Sequence, residues 1–459
     1  MKRTLHPAGD FRCTWHVPDE DGGLLNVPGT LSVRPGERPA GDMHSVDLFE
    51  PDDLFPQRRV YPVLTATLAG GATALVTDVA LEAMLGQASL HGGAAVISVD
   101  RFDDGAEPVA YEIEMQIESL DAISGLQPLS PHREADSSWS AKTRPDSSLT
   151  WTQGGATVTL DFIVAADDTS PFSLHVVASP RVIIRSETPL ALSDWITEWV
   201  EPMQRICSLA SGRSCRVTYV VLRSESGEST QLAQLYAHGI TQEAYDSDYR
   251  EIFGRSVGVN LKDDDASLLG LARGWRQAQI DQHPLIETYG AMLLVDEHPR
   301  ARFLLLLQAL EGAHGYDQRS TFAARRLEHE TEVKALLARL YEHTNSKERS
   351  KIKNGLKLNH PGLEQALTRT LKSLPFDMQP WFAKTSLVTQ VIADEDTDAS
   401  DVVSALRVVR NDLAHGNRGY DARDLREVVV LLNRVVRAQS LRLFGSSDET
   451  LERVLKSGR

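Results

Sequence analysis

The hydrophobic pattern of this chain changes period once, near Arg223, and that change restricts the fold more than any other feature. Upstream, Tyr111, Ile113, Met115 and Ile117 alternate with Glu112, Glu114, Gln116 and Glu118, which predicts a strand with one wet face. Val158, Leu160, Phe162 and Val164 repeat the pattern more loosely. Thr150-Trp151-Thr152 and Thr157-Val158-Thr159 flank Gln153-Gly154-Gly155, a hairpin tip. Further strands are expected over 12–16, 60–68, 72–79, 94–99, 173–177, 182–185 and 216–222. Short strands separated by Gly, Pro and Asp predict a sandwich or a partly closed barrel. One helix should interrupt them over about 193–211, kinked at Pro202 and stopped by Gly212.

Downstream the period becomes helical. Connecting helices are expected over 232–237, 242–252 and 266–278. A strongly apolar helix follows, with Phe303, Leu304, Leu306, Leu307 and Leu310, and Glu311 at its end. Another spans 328–342, with Val333, Leu336, Leu337 and Leu340 on its apolar side. Helices over 362–374, 383–393, about 401–415 and 423–444 complete an all-α bundle of about five members. The expected class is α+β multidomain. A β-rich, sandwich- or barrel-like domain (1–225) precedes a helical connector (226–290) and the all-α helical bundle (291–459).

No apolar run among the 459 residues approaches the ~18 of a membrane span, so no membrane association is expected. The basic start, Met1 to Pro7, lacks an apolar stretch, so no secretory signal is expected. Cys13, Cys207 and Cys215 are scattered and odd in number, which fits neither a disulfide framework nor a metal knuckle and points to the cytoplasm. The net charge of −16 argues against nucleic acid until its distribution is considered. Residues 1–338 carry −20, whereas residues 339–384 carry +5. A local patch is what phosphate contacts require. Lys347, Arg349, Lys351, Lys353 and Lys357 form a run that would track a phosphate backbone; the plainer alternative is a solvated helix face.

The chemistry-bearing motif is Arg410-Asn411-Asp412-Leu413-Ala414-His415, followed by Gly416. A guanidinium fork matches phosphate oxygens, and an imidazole moves protons near neutral pH. At ~100° per residue, Val402, Leu406, Val409 and Leu413 form a buried stripe. Ser404, Arg407, Asn411 and His415 fall opposite, with Arg410 at the border. Arg410 and His415 diverge by ~140° on a regular helix. They would meet one phosphate if the last turn unwound at Gly416, or if two copies combined their motifs in one cleft. The plainer alternative pairs Arg410 with an acid and leaves His415 as a helix-end cation.

Arg-Asn-x3-His near the end of a helical bundle resembles the HEPN superfamily of ribonucleases. Residues 406–416 look closest to the C-terminal HEPN domain of ApeA-type anti-phage proteins, which also carry a β-rich N-terminal domain. The HEPN resemblance covers roughly residues 285–445. It implies RNA cleavage by a HEPN homodimer without metal or other cofactor, with Arg410 and His415 as the catalytic pair and Asn411 in the polar position beside the arginine. It also implies RNA of the translation machinery, tRNA especially, as target, and anti-phage growth arrest as outcome. The acidic N-terminal domain would then be sensor or restraint, responding to a phage-derived trigger. Glu311 is a further candidate for orienting Arg410 or His415, and Arg407 for contacting RNA. A second reading is a non-catalytic HEPN-like module that binds RNA or protein.

Other motifs carry less. Gly254-Arg255-Ser256-Val257-Gly258 matches the hydrolase elbow but lacks a helix directly after it. Asp263–Asp265 lacks the spacing of a calcium loop and reads as a capping loop. Trp381, Phe382 and Tyr420 are candidates for stacking on unpaired bases. No phosphate-binding loop, dinucleotide fingerprint or zinc motif is present.

Overall fold

A computed structural model describes residues 6–19, 23–44, 57–84, 87–99, 106–135, 139–170, 173–226, 229–247, 257–295, 297–340, 343–356 and 362–457. The chain divides into two compact units, Met1–Arg273 and Gly274–Arg459. The first is β-rich and the second, over its described residues, is helical. No described helix is long and apolar enough to cross a membrane.

The first unit begins with a closed barrel. Strands β1 (Gly9–Pro18), β2 (Leu24–Val33), β3 (Ala40–His44), β4 (Gln57–Leu68), β5 (Thr73–Met84) and β6 (Gln87–His91) pair in the order β5-β4-β1-β2-β3-β6, and β6 returns to β5. On its edge away from β4, strand β5 serves two neighbours. Its second half, Ala80–Met84, pairs with β6, and its first half, Thr73–Thr77, pairs with β7 (Ala94–Ser98). Asp78, with φ of 51°, lies between the two. The barrel interior is filled by Trp15, Leu31, Met43, Leu64, Leu81 and Leu90, all inaccessible to solvent or nearly so. Gly29 and Gly41 are required by that filling. A Cβ at Gly29 would sit 2.9 Å from the Trp15 ring and 2.0 Å from the Asp42 carbonyl oxygen; one at Gly41 would sit 2.4 Å from the Thr30 carbonyl oxygen.

From β7 the sheet continues open as β15 (Ser229–Ala237), β14 (Val217–Ser226), β8 (Val109–Ile117), β13 (Ser173–Ala191), β12 (Ala156–Ser170) and β11 (Leu149–Gln153). Two shorter strands, β9 (Leu129–Arg133) and β10 (Trp139–Thr143), form a separate hairpin. The Gln153–Ala156 turn is as expected: Gly154 and Gly155 have φ of 49° and 75°, the signs a two-residue hairpin demands. Four expectations need correction. Residues 232–237 are not helical but belong to β15, held between β14 and β7. Residues 242–247 are not helical either, and 248–252 lie outside the described residues. The expected strands over 173–177 and 182–185 are one strand, β13. The charged face of β8 is not wet. Glu114 is 2% exposed, because β8 is flanked on both sides, by β13 and β14. Arg181 and Arg223 reach Glu114 at 3.3 and 3.0 Å, and Arg181 also pairs with Asp161 at 2.5 Å. A buried carboxylate persists only with such partners.

Helix α1 (Leu120–Ser124) follows β8, and α2 (Glu201–Ser211) follows β13 after a π-helical turn, Trp195–Val200. Pro202 stands in the first turn of α2, where its missing N–H costs nothing, and Gly212 (φ 77°) ends it. The expected kink is replaced by the π turn before the proline. Asp264 and Asp263 close a turn on Asn260, while the cap of α3 (Leu268–Ile280) comes from Ser267, so the acidic run precedes the helix but does not cap it, contrary to expectation.

The second unit packs α4 (Pro284–Met292), α5 (Pro299–Asp317), α8 (Leu363–Ser373), α10 (Ser386–Ala393), α11 (Val402–His415), α12 (Ala422–Leu443) and α13 (Asp448–Lys456) around a shared core. Phe303, Leu306, Leu307 and Leu310 of α5 and Val428, Leu432, Val435 and Leu441 of α12 are buried there. Between α5 and α8 the chain forms α6 (Arg319–Arg339) and α7 (Ser346–Gly355). Neither contributes a single buried residue, so the helix expected over 328–342 is not a bundle member. Its Val333, Leu336 and Leu337 stay half-exposed. A short helix, α9 (Gln379–Phe382), precedes α10.

Candidate active site around Arg410 and His415

The motif lies on α11, and the helix begins for a clear local reason. Asp401 accepts a hydrogen bond from the Ser404 N–H at 2.7 Å, and the Ser404 hydroxyl oxygen accepts one from the Asp401 N–H at 3.0 Å. This reciprocal cap satisfies two amides that a helix start leaves open and holds the Asp401 carboxyl below its usual pKa. Val402, Leu406, Val409 and Leu413, the expected stripe, are buried. The helix stays regular through His415. Gly416, with φ of 72°, ends it by donating to the Asp412 carbonyl. The last turn therefore does not unwind.

Arg410 is half-buried and its guanidinium is engaged. Its Nη2 donates to Glu311 Oε2 at 3.1 Å and its Nη1 to Asn411 Oδ1 at 3.1 Å. The structure thus brings Glu311 to the motif arginine. Glu311 does not end its helix, however; α5 runs on through Gly312 to Asp317. His415 is exposed, and its ring makes no hydrogen bond or ion pair with any described residue. Arg407 is held by two carboxylates, Glu364 and Asp398, each at 2.6 Å. A phosphate would have to compete with both.

A frame that the motif alone does not reveal surrounds His415. The Tyr420 hydroxyl donates to Asp412 Oδ2 at 2.6 Å, which ties the loop after the helix back onto its last turn. Burial and the Asp412 carboxylate raise the Tyr420 pKa well above that of a free phenol. Arg418 pairs with Asp394 at 2.5 Å and lies 5.3 Å from the Tyr420 ring. From α5, Arg300 donates to the Leu413 carbonyl at 2.7 Å, one of the helix-end carbonyls that lack an internal partner. The only sequence signal for this frame is the acidic stretch Asp394–Asp398 with an arginine and a tyrosine after the motif.

The remaining candidates divide. Lys347, Arg349, Lys351 and Lys353 stand together on α7, whose start is fixed by a capping box between Asn345 and Glu348. The three lysines are exposed, while Arg349 is half-buried and donates to the Asn345 carbonyl at 3.4 Å. Lys357 lies outside the described residues, as do Gly254, Arg255 and Ser256 of the hydrolase-like pattern. Phe382 is fully buried, and Trp381 packs edge-on against Phe376 with ring centres 5.5 Å apart. Phe382 therefore offers no face for stacking, Trp381 remains half-exposed, and the hydroxyl of Tyr420 is committed to Asp412. Among the described residues no group of three or more His, Cys, Asp or Glu side chains is placed to hold a metal. No protein-family model, curated protein or solved structure matches the chain.

Proposed function

We propose that this chain is a HEPN-type endoribonuclease of the ApeA kind that cuts RNA without a metal, using Arg410 and His415. The observation that carries the reading is the pairing of a half-buried guanidinium, aligned by Glu311 and Asn411, with an unpartnered, exposed imidazole on the same helix. The RNA 2′-hydroxyl attacks the adjacent phosphorus, the 5′-oxygen departs, and the products are a 2′,3′-cyclic phosphate and a 5′-hydroxyl. His415 moves a proton to or from these oxygens, and Arg410 offsets charge that grows on the phosphate. Because α11 is regular to its end, Arg410 and His415 of one copy point ~140° apart. The reading therefore requires a homodimer in which each reacting phosphate lies between motifs of two copies. The α7 cations would bind RNA backbone, and translation RNA, tRNA above all, is the proposed target. The proposed setting is the cytoplasm of a phage-infected cell, with the N-terminal unit responding to a phage-derived trigger.

The full-length protein incubated with total RNA in excess chelator tests this. Cleavage that persists under chelation and disappears in His415→Ala supports it. RNA binding with no cleavage, under conditions where infected-cell extract is added as trigger, would favour the second reading, a non-catalytic RNA-binding module. That reading draws on the engagement of Arg410 and Arg407 by carboxylates.

A further inference from the structure

The motif helix carries an acid that the cleavage chemistry does not use. Asp412 stands three residues before His415, and on a regular helix residues so spaced are neighbours, with β-carbons roughly 5–6 Å apart. An acid placed before a cation at this spacing attracts it. Here the two are apart in their bonding. Asp412 is half-buried and its Oδ2 accepts from the Tyr420 hydroxyl at 2.6 Å, while the His415 ring makes no hydrogen bond or ion pair with a described residue.

Three features keep the tie in place. The chain turns back directly after the helix: the N–H groups of Gly416 and Asn417 both donate to the Asp412 carbonyl, and this fold of the backbone brings Tyr420 to the last turn. The phenol is a dependable donor, because burial and the Asp412 carboxylate raise its pKa well above that of a free phenol. Arg418, in the same loop, pairs with Asp394 at 2.5 Å and lies 5.3 Å from the Tyr420 ring. One short loop thus engages two carboxylates, each with its own donor. A charge-assisted O–H···O⁻ bond in a half-buried setting is strong, whereas an exposed imidazole–carboxylate pair is weak, so Tyr420 wins the competition for Asp412.

We propose that Tyr420 is a positioning residue for RNA cleavage, which holds Asp412 off His415 and so leaves the imidazole free for the reacting phosphate. The proposal rests on the nuclease reading of the motif. An imidazole paired with Asp412 has one nitrogen occupied. The carboxylate would also stand beside a phosphate whose charge grows in the transition state, against the effect of Arg410.

Two variants test this, Tyr420→Phe and the double variant Tyr420→Phe with Asp412→Asn. Phenylalanine keeps the ring and its packing, and thermal unfolding certifies that both variants fold. The first readout needs no RNA: the rate at which diethyl pyrocarbonate modifies His415 in the full chain, followed by mass spectrometry of its peptide. That rate should fall roughly two- to fivefold in Tyr420→Phe, the range of an exposed ion pair, and return in the double variant. The second readout is cleavage. The turnover number should fall by a similar factor in Tyr420→Phe with the Michaelis constant little changed, and it too should recover in the double variant. A purely structural tie is lost equally in both variants, so a double variant as impaired as Tyr420→Phe overturns the proposal. A Tyr420→Phe protein with wild-type His415 reactivity, or one that cuts RNA as fast as wild type or faster, overturns it as well. A wild type that cuts no RNA overturns the nuclease reading and the catalytic role with it, while the modification rates separately decide whether Tyr420 keeps Asp412 from the imidazole.

Discussion

Glu311 and Arg410, 99 residues apart in sequence, meet at 3.1 Å and join α5 to the motif helix. Both side chains are about one-third exposed, so the pair contributes only about 0.2–1 kcal/mol to stability. Its worth lies in aim. A guanidinium held at two nitrogens presents its remaining N–H groups in a fixed direction, and such preorganisation is what stabilises a charged transition state. Glu311→Gln should therefore leave thermal unfolding nearly unchanged while lowering the turnover number for RNA more than it raises the Michaelis constant. A variant that cleaves at the wild-type rate would reduce Glu311 to a surface partner.

The regular end of α11 makes a prediction about copies. Arg410→Ala and His415→Ala should each be inactive alone. Co-expressed and mixed at random, they should recover about a quarter of wild-type cleavage, since half the dimers are mixed and each mixed dimer rebuilds one of two sites. A site built within one copy would recover nothing. Analytical sedimentation of the same samples confirms that dimers formed.

On the proposed reading, RNA bound along the α7 cations should show a marked salt dependence. Each Lys or Arg that neutralises a phosphate of single-stranded RNA adds roughly 0.7 to the log–log slope of affinity against salt. Replacing Lys347, Lys351 and Lys353 with Gln should thus flatten that slope by about 2, with little loss of stability because all three side chains are exposed. An unchanged slope would return α7 to the role of a solvated helix.

Acid should loosen the start of α4. Burial lowers the pKa of His283, whose neutral Nδ1 caps the helix. The folded chain favours the neutral ring, while the unfolded chain takes up a proton near the usual ~6.5. The stabilisation is complete well above that value and is lost as pH falls through it towards the lower folded pKa. Denaturant midpoints compared at about pH 7.5 and about pH 5.5 should drop more for wild type than for His283→Asn, which keeps a capping side chain without a titrating one. Equal drops would remove His283 from the list of acid-sensitive groups.

What the sequence made legible, and what it hid, has a common physical origin. Local rules hold where local chemistry decides: the Gly154-Gly155 turn, the stop at Gly212 and the buried stripe of α11 follow from neighbouring residues alone. The charged face of β8 misled because its fate depends on Arg181 and Arg223, which reach it from β13 and β14. Residues 232–237 look helical in isolation, yet two flanking strands draw them into the sheet. Helix α6 misled in the opposite direction. Its leucines imply a core position, but nothing described packs over them closely enough to bury them. At the motif, Arg410 and His415 were legible as residue types. Glu311 was legible as a candidate to orient one of them, and it meets Arg410; the tie beneath His415 was not, since it depends on Tyr420 reaching back to Asp412 from the loop beyond.

The barrel around Trp15 bears on which changes the N-terminal unit can absorb. The Trp15 indole packs directly against the backbone at Gly29 and Gly41, on the neighbouring strands β2 and β3. A side chain larger than hydrogen at either glycine would therefore have to displace the indole or part the strands, so the barrel tolerates neither substitution without repacking.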